Sequence, residues 1–161
     1  MLSSILYYRT AWSDFFPETN PTTTLVPKEY TTTQSVSDTY VYVSNCLFNK
    51  CSSTSDGGAL SCSSVTYLLV ESSSFFSCKT SSKFGGAIYF SNTNSGECVL
   101  HKLCCYDCLT TYTSGSYGQF ANIEVRRSYI NYSSIVRCVN DDSDSWHTLR
   151  HVNGNICCPS V

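Results

Sequence analysis

A nine-residue pattern that recurs four times along the chain limits the possible folds more than any other feature of this sequence. Its copies are Val43-x-x-Cys46-x-Phe48-x-x-Cys51, Val70-x-x-Ser73-x-Phe75-x-x-Cys78, Leu100-x-x-Leu103-x-Cys105-x-x-Cys108 and Ile130-x-x-Ser133-x-Ile135-x-x-Cys138. Successive copies begin 27, 30 and 30 residues apart. The chain is therefore expected to return to an equivalent position about once every 30 residues.

A second shared segment follows the first in each unit. Gly57-Gly58-Ala59-Leu60 matches Gly85-Gly86-Ala87-Ile88. In the third unit we align Phe120-Ala121-Asn122-Ile123 with this segment, and in the fourth unit the residues from Leu149 to Val152. Each unit is therefore predicted to contain two short β-like stretches and two turns.

The composition of these units favours strands over helices. Helical repeats of similar length need apolar residues at helical spacing, which these units lack. The apolar residues are mostly β-branched or aromatic, and Gly-Gly interrupts any helical run. Short strands and polar turns that return once per repeat are typical of a β-solenoid, whose coils stack about 4.8 Å apart. The sequence predicts an all-β, right-handed, single-stranded parallel β-helix of the pectate-lyase-like type, with about four to five coils.

In such a fold an inward side chain lies directly above its copies in the neighbouring coils. Phe48, Phe75 and Ile135 share one predicted inward column, in which Cys105 takes the remaining place. The last cysteines of the four copies form a second predicted column: Cys51, Cys78, Cys108 and Cys138. Adjacent coils are close enough for a disulfide, but the column needs a small apolar filler whatever its chemistry. Because the total of 11 cysteines is odd, we expect free thiols.

The paired glycines are predicted corner residues. Gly57, Gly58, Gly85 and Gly86 precede the next strand of their units. Glycine is required there either because φ is positive or because another backbone segment approaches too closely for a Cβ atom.

The two ends of the chain depart from the repeat. Pro17, Pro21 and Pro27 disfavour regular interior strands, so we expect residues 1–38 to form an irregular lead-in or cap. Residues 39–161 are assigned to the β-helix. Ile156-Cys157-Cys158-Pro159 resembles the opening of a further coil that is not completed. An open solenoid edge favours self-association.

Charge and hydropathy exclude some classes of partner. The formal net charge of −2 provides no basic field for nucleic acid. No run of about 18 apolar residues occurs, so we expect no membrane span in this chain. The short apolar run near the N-terminus lacks a preceding basic residue, and we therefore expect no signal peptide.

The pairs Phe48-x-x-Cys51 with Gly57-Gly58-Ala59-Leu60, and Phe75-x-x-Cys78 with Gly85-Gly86-Ala87-Ile88, resemble the polymorphic outer-membrane protein (Pmp-like) repeats. Those repeats alternate Phe-x-x-Asn with Gly-Gly-Ala and an aliphatic residue. This chain departs from them by having cysteine where asparagine is usual. Similar cysteine-rich β-helix proteins occur in parasitic protists. The resemblance covers about residues 40 to 140. It implies a β-helix stalk, surface display and adhesion, and it carries over no catalytic residue.

Two groups of residues suggest a metal site or a catalytic site as alternatives. One is a zinc site assembled from a Cys-x-x-Cys and a second cysteine pair: Cys104, Cys105, Cys108, Cys157 and Cys158. The other is an acidic turn beside two histidines: Asp141, Asp142, Asp144, His147 and His151. For the cysteines we favour interior packing, because the repeat places Cys105 and Cys108 in inward columns. For the aspartates we favour a solvated turn, because all three lie in one loop.

The function predicted from the sequence is non-enzymatic. We expect a structural or binding β-helix segment of an adhesin-like surface protein, with a protein or glycan partner and with no catalytic residue, metal or cofactor. Fold-level analogy supplies most of this expectation. The alternative is a remnant of a carbohydrate-active β-helix enzyme of the polysaccharide lyase or hydrolase type, which needs carboxylates from at least two coils in one groove.

Overall fold

The computed structural model describes residues 11–139 and 147–152, and its regular structure is almost entirely β-strand. The described residues contain one helix, α1 (Ala11–Phe15). The strands are β1 (Thr23–Leu25), β2 (Glu29–Tyr30), β3 (Gln34–Val36), β4 (Tyr40–Ser44), β5 (Leu47–Asn49), β6 (Ser52–Ser53), β7 (Leu60–Ser63), β8 (Tyr67–Glu71), β9 (Ser74–Phe76), β10 (Lys79–Thr80), β11 (Ile88–His101), β12 (Cys104–Tyr106), β13 (Leu109–Thr110), β14 (Ala121–Asn131), β15 (Ser134–Val136) and β16 (Leu149–Val152).

These strands form three parallel sheets. The long sheet has eight strands: six follow the order β1-β4-β8-β11-β14-β16, while β7 also pairs with β11 and β3 pairs with β7. The middle sheet has the order β15-β12-β9-β5-β2, and the short sheet has the order β13-β10-β6. The chain visits the sheets in turn and climbs by one strand each time, so the fold is a parallel β-solenoid of about four turns. The fold class predicted from the repeat is confirmed.

The strand register confirms the alignment of the nine-residue pattern. Val43 pairs with Val70, and Phe48 pairs with Phe75. Cys105 lies between Phe75 and Ile135 in the next rungs of the same column. The column is buried from Phe48 to Cys105, whereas Ile135 is only partly buried. Within this column the ring of Phe48 stacks on that of Phe75 with the centroids 4.7 Å apart.

The N-terminal boundary of the solenoid differs from the prediction. Within residues 1–38, Leu25 pairs with Val43 and Tyr30 pairs with Phe48, so this segment contributes strands to the stack. The prolines do not prevent this, because Pro21 precedes β1 and Pro27 lies between β1 and β2. The assignment of all 38 residues to an irregular lead-in is therefore wrong.

The second shared segment was aligned incorrectly in the later units. Ala121 pairs with Ile88, so the third copy is Gly118-Gln119-Phe120-Ala121, two residues before the predicted one. Leu149 pairs with Ala121, so the fourth copy ends at Leu149 rather than beginning there. Gly118 has a positive φ of 64° and takes the place of Gly57 and Gly85.

Two corners of the coil repeat a tight turn with a non-glycine residue at positive φ. The residues at the first corner are Asn45, Ser72, Lys102 and Tyr132, and those at the second are Lys50, Ser77, Asp107 and Arg137. After Ser72 and Tyr132 a serine follows, and its hydroxyl stabilises the turn. Ser73 Oγ donates to the carbonyl of Glu71 (2.7 Å) and accepts from the amide of Cys46 (3.1 Å). The serines of the repeat thus join adjacent coils.

Two further expectations concern the last predicted coil and a membrane span. The segment from Ile156 to Pro159, predicted to open another coil, is outside them. Within the described residues no helix is long and apolar enough to cross a membrane.

Candidate functional site

The four cysteines of the predicted column do form a buried ladder. Cys51, Cys78, Cys108 and Cys138 are at most 2% exposed, and all the described cysteines are free. The ladder is more than an apolar filler, because its sulfur atoms take part in hydrogen bonds. The amide of Cys78 donates to Cys108 Sγ and that of Cys108 to Cys138 Sγ, both at 3.4 Å. The Cys108 thiol in turn donates to the carbonyl of Tyr106 (3.5 Å), as the serines do at the first corner.

Sulfur–sulfur contacts shift the titration of this ladder. Hydrogen bonds donated to neighbouring sulfur atoms, together with burial, raise the pKa of Cys51 and of Cys108. Hydrogen bonds from Cys108 and Cys51 lower the pKa of Cys78, because a thiolate there would accept from both neighbours. Burial denies reagents access to every member of the ladder, and a thiol must be reached as well as ionised to react.

We expect native-state alkylation to modify Cys104 and to leave the four ladder cysteines unmodified. Cys104 is exposed on the same strand that carries the buried Cys105, so it provides an internal control for reagent activity. Mass spectrometry of peptides from native and denatured protein measures both groups. Modification of the ladder is expected in denaturant without any reductant, and reductant should leave the stability unchanged. Ladder peptides that become reactive only after reduction would contradict the free-thiol state.

The predicted corner glycines serve both of the purposes considered for them. Gly57 and Gly85 have φ values of 79° and 64°, in the left-handed region that side chains rarely adopt. Gly58 and Gly86 instead lie against backbone, where a Cβ atom would come within 2.1 Å and 2.2 Å of a carbonyl oxygen. The first glycine of each pair permits the turn, and the second permits the next coil to approach.

The two chemical alternatives are not assembled in the described structure. Cys104 and Cys105 point to opposite faces of β12, with Cys104 exposed and Cys105 buried. No group of three potential metal ligands occurs within residues 11–139 and 147–152. His147 is exposed. The other partners proposed for these sites lie outside the described residues or have undescribed side chains: Asp141, Asp142, Asp144, His151, Cys157 and Cys158.

The most elaborate surface is the outer face of the long sheet, where β4, β8, β11 and β14 run side by side. Its outward residues form three in-register columns. The first column is Tyr40, Tyr67, Glu97 and Arg127; the second is Tyr42, Leu69, Val99 and Tyr129; the third is Ser44, Glu71, His101 and Asn131. We call this surface the outer platform. It is aromatic and apolar at its first rungs and becomes polar towards β14.

Helix α1 and the residue after it cover the apolar part of the outer platform. Trp12 and Phe16 are buried in a cluster with Leu69 and Val99. The Phe16 ring stacks on Tyr67 with centroids 4.6 Å apart and planes 7° from parallel. Trp12 Nε1 donates to the carbonyl of Thr19 (3.1 Å), which holds the chain after the helix close to the indole ring. Burial of these large side chains explains why Leu69 and Val99 face outward from the solenoid.

A groove runs along the boundary between α1 and the uncovered part of the platform. One cavity of about 390 Å³ is lined by Asp14, Phe15, Phe16, Glu97, Val99, Arg127, Tyr129 and Asn131. A second cavity of about 310 Å³ is lined by Phe15, Phe16, Pro17, Glu18, Thr19, Tyr67, Glu97, Arg126 and Arg127. The two cavities share four residues and form what we call the seam groove. Both volumes are in the range of ligand-binding clefts.

An ion cluster lies between the two cavities. Glu97 Oε1 accepts from Arg126 at 2.5 Å and lies 3.8 Å from a guanidinium nitrogen of Arg127. The Glu97 side chain is only 14% exposed, whereas about half of each arginine side chain is exposed. The cluster therefore presents guanidinium N–H donors to the groove, with the carboxylate beneath them.

Polar residues of the third column hydrogen-bond to one another beside the groove, and Asn131 among them lines its larger cavity. Asn131 Oδ1 contacts His101 Nδ1, and Tyr42 donates to Glu71, which also accepts from Ser44 (3.3 Å). Burial and the Glu71 hydrogen bond raise the pKa of Tyr42 to about 12. Tyr42 is thus held as a neutral donor at physiological pH, and these contacts fix the side chains of the column in place.

The groove was not predicted, although the sequence contains two signals of it. Leu68-Leu69-Val70 and Cys98-Val99-Leu100 are uninterrupted apolar runs, and a strand that is apolar on both faces must be covered on both. Trp12 and Phe16 are the residues that provide the cover. The second signal is the pair Arg126-Arg127, which is too short for a basic patch but contacts Glu97 in the preceding coil.

No family model, curated protein or solved structure matches this chain. The class of protein rests on the geometry alone: a parallel β-solenoid with a groove at the boundary between its N-terminal helix and its outer platform.

Proposed function

We propose that this chain is a non-enzymatic binding segment of an adhesin-like surface protein, and that it binds its partner in the seam groove. The observation that carries the proposal is the pair of adjoining cavities, which combine aromatic walls with the exposed guanidinium groups of Arg126 and Arg127. Binding clefts are mostly apolar and contain a few well-placed polar groups that fix the orientation of the ligand. The seam groove has both kinds of group, although its five charged lining residues make it more polar than most such clefts.

Rigid support for the groove also favours a binding role. Its floor consists of residues of β11 and β14, which pair in register on both sides of a bulge between Asn92 and Glu97. Sites on strands are held more precisely than sites on loops. A stack of coils also projects such a surface at a fixed position along an extended stalk, which suits the display and adhesion implied by the Pmp-like repeats.

The carbohydrate-active enzyme is the second candidate, because the carboxylates of Asp14 and Glu97 line the same cavity. A glycoside hydrolase needs one carboxyl group as a proton donor and another as a base or nucleophile. Glu97 Oε1 is already engaged by two guanidinium groups, and this engagement favours a structural ion cluster over proton transfer. We therefore rank the enzyme below the binding module.

An array that carries glycans and extracellular-matrix proteins tests the proposal. We expect the labelled chain to be retained by at least one component, and Arg127→Glu to weaken retention at least about tenfold through charge reversal in the groove. Arg137→Glu is the matched control, since Arg137 lies on another face beside Tyr106. The control should bind as the parent chain does.

The same preparation is incubated with polysaccharides, and new reducing ends and unsaturated products are measured. We expect neither to form. Turnover that Glu97→Gln abolishes would establish the enzyme candidate instead. If no component of the array retains the chain, or if the two arginine variants lose retention equally, the proposed binding function is wrong.

A further inference from the structure

We infer that the seam groove binds a neutral oligosaccharide, whose sugar rings pack against Phe15 and Tyr129 while its hydroxyl groups bind the charged residues of the groove floor. This inference rests on the proposed binding function and specifies its ligand. It depends on three properties of the groove: its charge balance, its mixture of donors and acceptors, and its partly exposed aromatic rings.

The charges of the groove disfavour an anionic ligand. The lining residues with formal charge are Asp14, Glu18, Glu97, Arg126 and Arg127. Three carboxylates thus accompany two guanidinium groups, and an acidic glycan or a phosphate chain would meet repulsion along with attraction. A ligand without net charge avoids that cost.

The polar groups of the groove suit hydroxyl groups in particular. A hydroxyl both donates and accepts hydrogen bonds, whereas a guanidinium group only donates and a carboxylate only accepts. Arg127 and Asp14 line the larger cavity together with the amide of Asn131. Neighbouring hydroxyls of a sugar can therefore find a donor and an acceptor within one cavity. A guanidinium group has five N–H donors, so the contact of Arg127 with Glu97 leaves others for the ligand.

The aromatic rings supply the apolar part of the site. Tyr129 is the last residue of the second platform column; it is partly buried, packs against the cluster of Trp12 and Phe16, and lines the larger cavity. Among the described residues Tyr67 stacks on both Phe16 and Tyr40, whereas no ring stacks on Tyr129. The part of an aromatic ring that is still exposed gains from burial against an apolar surface, and the C–H faces of a sugar ring provide such a surface. Two adjoining cavities favour an oligosaccharide over a single sugar.

Calorimetric titration with neutral hexasaccharides of glucose, xylose and N-acetylglucosamine tests the inference, with hexagalacturonate as the acidic comparison. We expect at least one neutral hexasaccharide to bind more tightly than hexagalacturonate. Tyr129→Ala should weaken its binding at least about tenfold, whereas Tyr129→Phe, which keeps the ring, should retain most of the affinity. Tyr106→Ala is the matched control, because Tyr106 is a partly exposed tyrosine of the middle sheet.

Thermal unfolding of each variant separates loss of binding from loss of fold. If Tyr129→Ala is unfolded, Arg127→Gln provides the second probe, because it removes charge from the groove without removing a packed ring. Its expected effect is again a loss of about tenfold.

The outcomes also separate this inference from the proposed function. Retention of a matrix protein through the groove, without binding of any neutral hexasaccharide, overturns the ligand class and leaves the binding function standing. Binding of hexagalacturonate alone overturns it likewise. Neutral-sugar binding that is lost equally in Tyr106→Ala would place the site elsewhere and overturn both.

Discussion

Phe75→Ala is expected to lower the free energy of unfolding by about 3 to 5 kcal/mol. Phe75 is fully buried, stacks on Phe48, and meets the ring of Phe120 edge-on at 5.9 Å between centroids. Removal of the ring leaves a cavity between two coils whose strand register prevents them from closing it. Chemical denaturation followed by circular dichroism measures the loss.

Phe76→Ala is the matched control, one residue further along β9. The Phe76 side chain faces outward, is 36% exposed, and has its ring 6.4 Å from that of Tyr106. We expect its loss to be about 1 kcal/mol or less. Equal losses for the two variants would contradict the assignment of Phe75 to the interior column.

Gly86→Ala is expected to destabilise the solenoid by about 3 kcal/mol or more. A Cβ atom there would lie 2.2 Å from the carbonyl oxygen of Gln119 and 2.3 Å from the carbonyl carbon of Leu109. Both atoms belong to the backbone of the next coil, so no side-chain rotation relieves the overlap. Thermal and chemical unfolding of the variant measure the effect.

Gly115→Ala is the control for replacing a glycine by alanine where no neighbouring atom is close. Gly115 has a φ of 68° but no heavy atom within 4 Å of a built Cβ atom. Its substitution should therefore cost only the backbone strain of the left-handed region, about 1 to 2 kcal/mol. If Gly115→Ala destabilised the protein as much as Gly86→Ala, close approach between coils would not be the reason for the second glycine.

The sequence predicted the fold and the columns of the nine-residue pattern over four coils, because stacking forces equivalent residues to match. Phe48 over Phe75 and the cysteine ladder could be aligned without gaps, since the segment that contains them has a constant length. The second segment could be aligned only while Gly-Gly-Ala persisted. In the third unit Gln119 replaces the second glycine and Phe120 replaces the alanine, and the alignment failed there by two residues.

The first coil was missed for a related reason. Leu25 and Tyr30 occupy the columns of Val43 and Phe48, but Thr33 stands where the pattern has its last cysteine, and prolines surround the strands. The two-sided apolar runs of β8 and β11 indicate that the outer face is covered, but the position of the seam groove depends on where α1 packs. Nothing in the spacing of Trp12 and Phe16 specifies which face of a distant sheet they cover.

The position of α1 also affects how the solenoid unfolds. In a stack of repeats each coil contacts only its neighbours, so unfolding can start at one end and proceed coil by coil. Trp12 packs beside Tyr42, Leu69 and Val99, which belong to three successive coils. Separation of any of these coils from the others must also release the indole ring. A single short segment outside the stack therefore makes the fraying of three coils a shared, cooperative event.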